Sequence, residues 1–174
     1  MITVLDKKKT EIEEIDNIIY LSFLLSDGKT GINWINHFEK NNYYLCNYSR
    51  SILSSSEFNA SYGMNYNLAI LRANSLNSEV VTIANVLKKA EANNFLKANL
   101  EMACLTFNAL SNEVMEKYNL QNVLILHPLV RDFEGSPSIL SMDNNNGKKT
   151  IRTYPSKISD IWGKNYNFVL SNNS

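Results

Sequence analysis

Two stretches in the middle of the chain, residues 80–87 and 100–107, carry the clearest hydrophobic pattern in the sequence. In each stretch, apolar residues recur at positions i, i+3, i+4 and i+7, a spacing that gathers side chains on one face of an α-helix. These positions are Val80, Ile83, Ala84 and Leu87, then Leu100, Ala103, Cys104 and Phe107. Ser111 is predicted to cap a third, short helix that reaches Tyr118. The pattern therefore predicts two successive amphipathic helices, separated at Asn93-Asn94, that need a partner surface for their apolar faces.

Short apolar segments around these helices predict that the partner surface is a β-sheet. Residues 66–71 are apolar on both faces toward their end, and residues 123–126 are wholly apolar, as in interior strands. Residues 150–154 and 166–170 are further predicted strands. Asn146-Gly147 is a strong signal for a hairpin turn.

The N-terminal segment, residues 10–25, is predicted to be helical. It opens with Thr10-x-x-Glu13, the capping-box signature, and ends at Ser26-Asp27-Gly28. Its apolar positions are Ile12, Ile15, Ile18, Ile19 and Phe23. A second short helix is predicted to start at Thr30 and to end at Asn41-Asn42. Its apolar face consists of Ile32, Trp34, Ile35 and Phe38.

The order of these elements favours one α+β domain over residues 1–174. Residues 1–29 are predicted to form a helical N-terminal extension, and residues 30–174 the main α+β domain. We expect N-terminal helices, then a mostly antiparallel sheet with two central amphipathic helices and long C-terminal loops. A chain of 174 residues is long enough to bury a core without disulfides or a structural metal.

Charge and hydropathy exclude several classes of function. The 17 basic residues balance the 17 acidic residues, so the chain lacks the positive surface that binds nucleic acid. The longest apolar stretch, residues 18–25, is far shorter than the roughly 20 residues that cross a bilayer. The order of a secretory signal is missing at the N-terminus. Cys46 and Cys104 have no spacing pattern, as in free thiols of a reducing cytoplasm. We expect a cytoplasmic protein that binds neither nucleic acid nor membrane.

Asparagine is unusually frequent, with 26 residues in the chain. Five tyrosines fall in the irregular segment 43–66, and Tyr and Asn together are typical of an adaptable polar binding surface. The alternatives are half-buried tyrosines and the codon bias of an AT-rich genome, because Asn also occurs within the predicted helices. Asn residues beside the C-terminal loops, at positions 144–146, still favour a binding surface.

Neither a nucleotide-binding loop nor a metal centre is predicted. Gly28-Lys29-Thr30 resembles the end of a phosphate-binding loop, but Phe23 stands where that motif requires its first glycine. A helix stop followed by a helix cap explains these three residues. The two His and two Cys stand at positions 37, 46, 104 and 127, without the paired spacing of a zinc site. We expect no cofactor and no metal.

His127 is the best-placed candidate for a functional side chain, because it ends an apolar strand and leads into the polar segment 131–135. Cys104 is a candidate nucleophile with His127 as its base, although its position on an apolar helix face favours a buried thiol. Asp132 and Glu134 offer oxygen ligands to a hard cation such as calcium. The alternative is a turn in which Asp132 caps its own backbone.

From about Thr30 onwards, the chain resembles a group of short uncharacterised bacterial proteins. The matching residues are Trp34-Ile35, Ala103-Cys104-Leu105, Leu120, His127, Arg131-Asp132, Glu134-Gly135, Pro137, Leu140, Trp162 and Phe168. The chain departs from the group at Pro128-Leu129, where Glu-Pro is usual, and in lacking an Arg-Trp-Leu run before the last loop. The resemblance implies a shared fold and no mechanism. At the level of fold, the C-terminal half also resembles C-type lectin-like and formylglycine-generating-enzyme-like domains.

These observations favour a non-catalytic binding or protein-interaction module with a protein or small-molecule partner. Its site is predicted near residues 127–165, on the loops 128–147 and 155–165. The predicted ligand-binding residues are His127, Arg131, Asp132, Glu134 and Trp162. Two alternatives stay open: a small enzyme in which His127 acts with Cys104, Asp132 or Glu134, and an immunity-type partner of another chain.

Overall fold

The computed structural model describes residues 10–76, 78–157 and 159–172. Its helices are α1 (Gly31–Lys40), α2 (Asn47–Leu53), α3 (Ile83–Ala92), α4 (Leu100–Ala109) and α5 (Asn112–Lys117). Its strands are β1 (Glu11–Ile15), β2 (Ile18–Asp27), β3 (Tyr44–Leu45), β4 (Tyr62–Arg72), β5 (Val81–Thr82), β6 (Asn122–Ile125), β7 (Val130–Arg131), β8 (Pro137–Asn145), β9 (Lys148–Pro155), β10 (Ile161–Trp162) and β11 (Tyr166–Ser171). A 3-10 turn over Ala73–Ser75 follows β4. The predicted combination of helices with a β-sheet is confirmed.

The predicted N-terminal helix is wrong, because residues 11–27 form the β1–β2 hairpin instead. Asp16 and Asn17 make its two-residue turn, with φ angles of 51° and 63°. Positive φ at both central residues defines the turn that joins two antiparallel strands, and Asp and Asn tolerate it well. The isoleucines of this segment also favour strands over helices. Residues 1–9 of the predicted helical extension lie outside the described residues.

Helices α1, α4 and α5 begin where the sequence predicts, but α3 begins at Ile83 and not at Val80, because Val81 and Thr82 form strand β5. Thr30 caps α1: its hydroxyl accepts the Asn33 N–H, and the Asn33 side chain accepts the Thr30 N–H in return. Asn99 caps α4, and Ser111 caps α5 as predicted. The segment Gly28-Lys29-Thr30 therefore follows strand β2 and not the predicted helix, whereas its predicted end in a helix cap at Thr30 is present.

The main sheet is mostly antiparallel, as predicted, with the strand order β1-β2-β4-β11-β6-β8-β9-β3. Only the β11–β6 and β3–β9 pairs are parallel among the described strands. Strand β7 pairs with β8, and β5 pairs with β10 in a separate two-stranded sheet. The C-terminal strand β11 thus lies in the middle of the main sheet, between β4 and β6.

Both faces of the main sheet are covered, because alternate residues of its strands enter two different cores. In β4, Leu68 and Ile70 pack in the core that includes α1, α2, α4 and α5. Ala69 and Leu71 pack in the second core, which includes α3. Burial on both faces explains why the central strands are apolar throughout.

The prediction that α4 is amphipathic is wrong, because residues 100–107 are buried on every face of the helix. These residues include the carboxylate of Glu101. The side chain of Glu101 accepts hydrogen bonds from the Ser61 N–H at 2.9 Å, the Ser61 hydroxyl at 2.5 Å and the Tyr66 hydroxyl at 3.0 Å. Three donors satisfy a buried carboxylate, which otherwise carries a large desolvation penalty. Glu101 therefore joins α4 to the start of β4.

The region that the sequence assigns to long C-terminal loops is mainly a long hairpin. Strands β8 and β9 pair over eight positions and meet at the predicted Asn146-Gly147 turn, whose φ angles are 50° and 81°. Strand β8 was not predicted from the sequence, because it contains serines, which are mostly exposed in proteins. In the structure, Ser138 and Ser141 are buried. The β8–β9 turn lies beside α5: the Asn112 side chain donates to the Gly147 carbonyl at 3.3 Å.

Candidate functional site

The ring of His127 is bonded to the backbone through both nitrogens. The Leu140 N–H donates to Nε2 at 3.0 Å, so Nδ1 carries the proton and donates to the Pro128 carbonyl at 2.6 Å. The residue is 3% exposed, and burial lowers the pKa of His127 to about 4. His127 is therefore a neutral, fixed ring at neutral pH, with no free nitrogen for acid–base chemistry.

Cys104 lies in the core with no exposed surface. Burial raises the pKa of its thiol well above the ordinary value, and the nearby Glu101 carboxylate raises it further. A thiol of raised pKa is a poor nucleophile, because the thiolate is the reactive form. The thiol of Cys104 forms no hydrogen bond with His127 in the described ranges.

Asp132 caps the turn that it begins. One carboxylate oxygen accepts the Glu134 and Ser136 N–H groups, each at 3.0 Å, and the other accepts the Ser138 hydroxyl at 3.3 Å. The Arg131 guanidinium donates to the Gly135 carbonyl at 2.6 Å. These contacts are those of the capped turn given above as the alternative to a cation site. The described residues contain no cluster of three or more acidic, His or Cys groups that is able to hold a metal ion.

The other two predicted ligand-binding residues, Glu134 and Trp162, contact different parts of the chain. Glu134 hydrogen-bonds Tyr48 of α2 and raises the pKa of that phenol, and the neighbouring Phe133 stacks on Tyr48 at 4.7 Å. Trp162 packs edge-on against Tyr166, with 5.2 Å between the ring centroids. The turn at residues 131–135 therefore brings Arg131, Asp132 and Glu134 together, whereas the contacts of His127 and Trp162 are with other parts of the chain.

A polar cleft of about 430 Å³ lies where three distant segments meet. Residues 41–43 follow α1, Asn108 and residues 111–112 come from the junction of α4 and α5, and Gly147 and Lys149 come from the β8–β9 hairpin. We call this the amide cleft, since four asparagines line it. Its volume falls within the range of sites that bind small molecules.

Lys149 is the only charged residue among those that line the amide cleft. It is 9% exposed, and its ammonium group donates to the Leu110 carbonyl at 2.5 Å and to the Tyr43 hydroxyl at 3.1 Å. Burial lowers the pKa of Lys149. No carboxylate of the described residues forms an ion pair with it. An ammonium group has three N–H donors, and these two bonds use two of them. The ammonium also lies 4.9 Å from the centroid of the Tyr43 ring.

Neutral donors surround this cation. The Oδ1 atom of Asn108 is bonded to His37 Nε2 at 2.7 Å, so the Asn108 amide N–H₂ is free to donate. Ser111 and Asn112 also line the cleft, and one N–H of the Asn112 amide is already bonded to the Gly147 carbonyl. The hydroxyl of Tyr43 donates to the Phe107 carbonyl at 3.1 Å, which orients its oxygen toward Lys149 as an acceptor. The cleft thus offers a cation and amide donors to one ligand.

Comparisons of the chain with known protein families, curated proteins and solved structures found no match. The resemblances noted from the sequence stay predictions. Of the helices in the described ranges, none has the length and hydrophobicity that a membrane span requires.

The sequence did not indicate the amide cleft, because its residues are separated by more than 60 positions at the widest gap between 43 and 108. One signal was present. Side chains alternate along a strand, so Lys149 lies on the same face of β9 as the buried Ile151. A lysine at an inward-facing strand position is unusual and indicates a buried charge that needs a partner.

Proposed function

We propose that this protein is a non-catalytic binding module and that the amide cleft holds its ligand through a phosphate or carboxylate group. One observation carries the proposal: the buried ammonium of Lys149 lines an open polar cleft, and no carboxylate of the described residues pairs with it. A buried charge is normally paired, because its desolvation is costly. An anionic group of a ligand supplies the missing partner.

The neutral lining supports an anion over a cation or an apolar ligand. Asn108, Asn112 and Ser111 present polar groups, and none of the lining residues is acidic. Hydrogen bonds that involve a charged partner are roughly twice as strong as neutral ones. Because the whole chain has no net charge, the attraction is local to the cleft and suits a small ligand better than a polyanion.

Lys149 also has a structural role that the test must separate from binding. Its ammonium group bonds the Leu110 carbonyl, at the C-terminal end of α4, where a positive charge is favourable. A lysine with this role alone contributes to stability but does not respond to anions. The readout must therefore be the change that a ligand causes, since stability itself reports on both roles.

The test is thermal unfolding at constant ionic strength, with chloride replaced in steps by inorganic phosphate or by acetate. We expect phosphate, acetate or both to raise Tm, by roughly 3–6 °C at ten times Kd. Lys149→Met removes this rise. Lys148→Met, an exposed neighbour on the opposite face of β9, retains it.

Asn108→Ala keeps the proposal testable if Lys149→Met fails to fold, because Asn108 is exposed. We expect Asn108→Ala to lower the affinity for the anion about threefold, as for the loss of one hydrogen bond, and so to reduce the anion-dependent rise in Tm. Equal anion responses in the wild type, Lys149→Met and Asn108→Ala would overturn the proposal. So would the lack of any response to either anion.

The contacts of His127 give no support to the alternative of a small enzyme. Both of its ring nitrogens are bonded to the backbone, and Asp132 uses both carboxylate oxygens within its own turn. The cytoplasmic location, the immunity-type partner and the exclusion of nucleic acid stay predictions from the sequence.

A further inference from the structure

A second cleft, of about 170 Å³, lies beside His127 and shares no residue with the amide cleft. We call three of its apolar lining residues the floor: Leu87 from α3, Leu126 after β6 and Ile139 from β8. The volume equals that of about six water molecules in the liquid. It is too small for the drug-sized ligands of larger sites and suits a short aliphatic chain.

His127 forms an uncharged wall of this cleft. Its two backbone hydrogen bonds fix the ring. None of the residues that line this cleft is acidic. The ring therefore limits the cleft without attracting a cation. Leu129, which is 51% exposed, is a further apolar residue of the lining.

Three polar residues, Lys97, Ser156 and Lys157, also line this cleft. Ser156 is 5% exposed, and its hydroxyl forms no hydrogen bond with the described residues. Lys97 and Lys157 are exposed, and neither forms an ion pair within the described ranges. The Asp160 carboxylate accepts the backbone N–H of Lys157 at 2.7 Å. Two cations and a hydroxyl donor are the groups that bind a carboxylate.

We infer that this cleft binds a short-chain aliphatic carboxylate, with its chain on the Leu87–Leu126–Ile139 floor and its head at Ser156, Lys97 and Lys157. The apolar floor and the two lysines, which form no ion pair within the described ranges, are complementary to the two ends of such a molecule. This site is independent of the proposed function, because each cleft has its own charged residues.

The test uses hexanoate, 1-hexanol and acetate as probes, with binding followed by two-dimensional NMR of backbone amides. Hexanoate is expected to shift the signals of His127 and Leu129 saturably. It should bind about three- to tenfold more tightly than 1-hexanol, the gain from two exposed ion pairs. Acetate, which lacks the chain, should leave these signals unchanged.

The double variant Lys97→Met/Lys157→Met should bind hexanoate no better than 1-hexanol. Lys88→Met/Lys89→Met, which removes two exposed lysines of α3 outside the cleft, should bind hexanoate as the wild type does. Lys149→Met should also retain hexanoate binding, which separates this site from the amide cleft. The inference is overturned if hexanoate does not shift these signals, if hexanol binds equally well, or if the Lys97/Lys157 variant keeps the preference.

Discussion

Protonation of His127 is predicted to destabilise the folded protein as the pH falls below neutral. Burial lowers the pKa of His127 to about 4 in the folded chain, from the ordinary value of 6.5 that applies in the unfolded chain. Because the folded pKa is depressed, the stabilisation is complete above pH 6.5 and is lost as the pH falls toward 4. The full difference corresponds to about 3 kcal/mol, most of which is lost by about pH 4.5.

The assay is urea unfolding of the wild type and of His127→Gln at pH 7 and at about pH 4.5. Glutamine keeps an acceptor for the Leu140 N–H but does not titrate. We expect His127→Gln to be the less stable protein at pH 7, yet to lose about 2.5 kcal/mol less than the wild type on acidification. His37→Gln, a change of the other histidine, should retain the His127-dependent loss. Parallel pH curves for the wild type and His127→Gln would refute the reasoning.

Three further predictions concern the fold. Gly31→Ala should destabilise the protein by more than about 3 kcal/mol in urea unfolding, because the new Cβ would lie 1.6 Å from the Leu53 carbonyl oxygen. Labelling of the native protein with a thiol reagent should modify the half-buried Cys46 and leave Cys104 unmodified until the protein unfolds. Asp132→Ala should cost about 2 kcal/mol, since it removes the acceptor of three hydrogen bonds; Asp132→Asn should cost less.

Elements with a single strong pattern were predictable from the sequence, and the N-terminal hairpin was not. The spacing located α3 and α4, and their caps, Thr82 and Asn99, are the expected residue types. The predicted apolar faces were only partly correct, because Val80 precedes α3, Ala84 is exposed and α4 is buried on every face. In residues 10–25, the isoleucines fit a helix and a strand equally well. The Asp16-Asn17 turn decides between them, since both residues take positive φ. Turn chemistry therefore outweighed helical spacing in this segment.

The candidate site was not predictable, because it depends on tertiary contacts. No local pattern connects Asn108 with Lys149, and the charge of Lys149 acquires meaning only through its burial. His127 appeared polar and available in the sequence, but the Leu140 N–H occupies one of its nitrogens. The many asparagines have different roles in the structure. Asn41, Asn42, Asn108 and Asn112 line the amide cleft, and others are found in helix caps and turns.

The central claim, that the amide cleft binds an anion through Lys149, is tested most directly by a titration of the ¹⁵N-labelled protein with inorganic phosphate. The backbone and side-chain amide signals of Asn108 and Asn112 should shift saturably in the wild type and in Lys148→Met. The same signals should stay unchanged in Lys149→Met. Saturable shifts that persist in Lys149→Met, or wild-type signals that do not move at any phosphate concentration, would contradict the account.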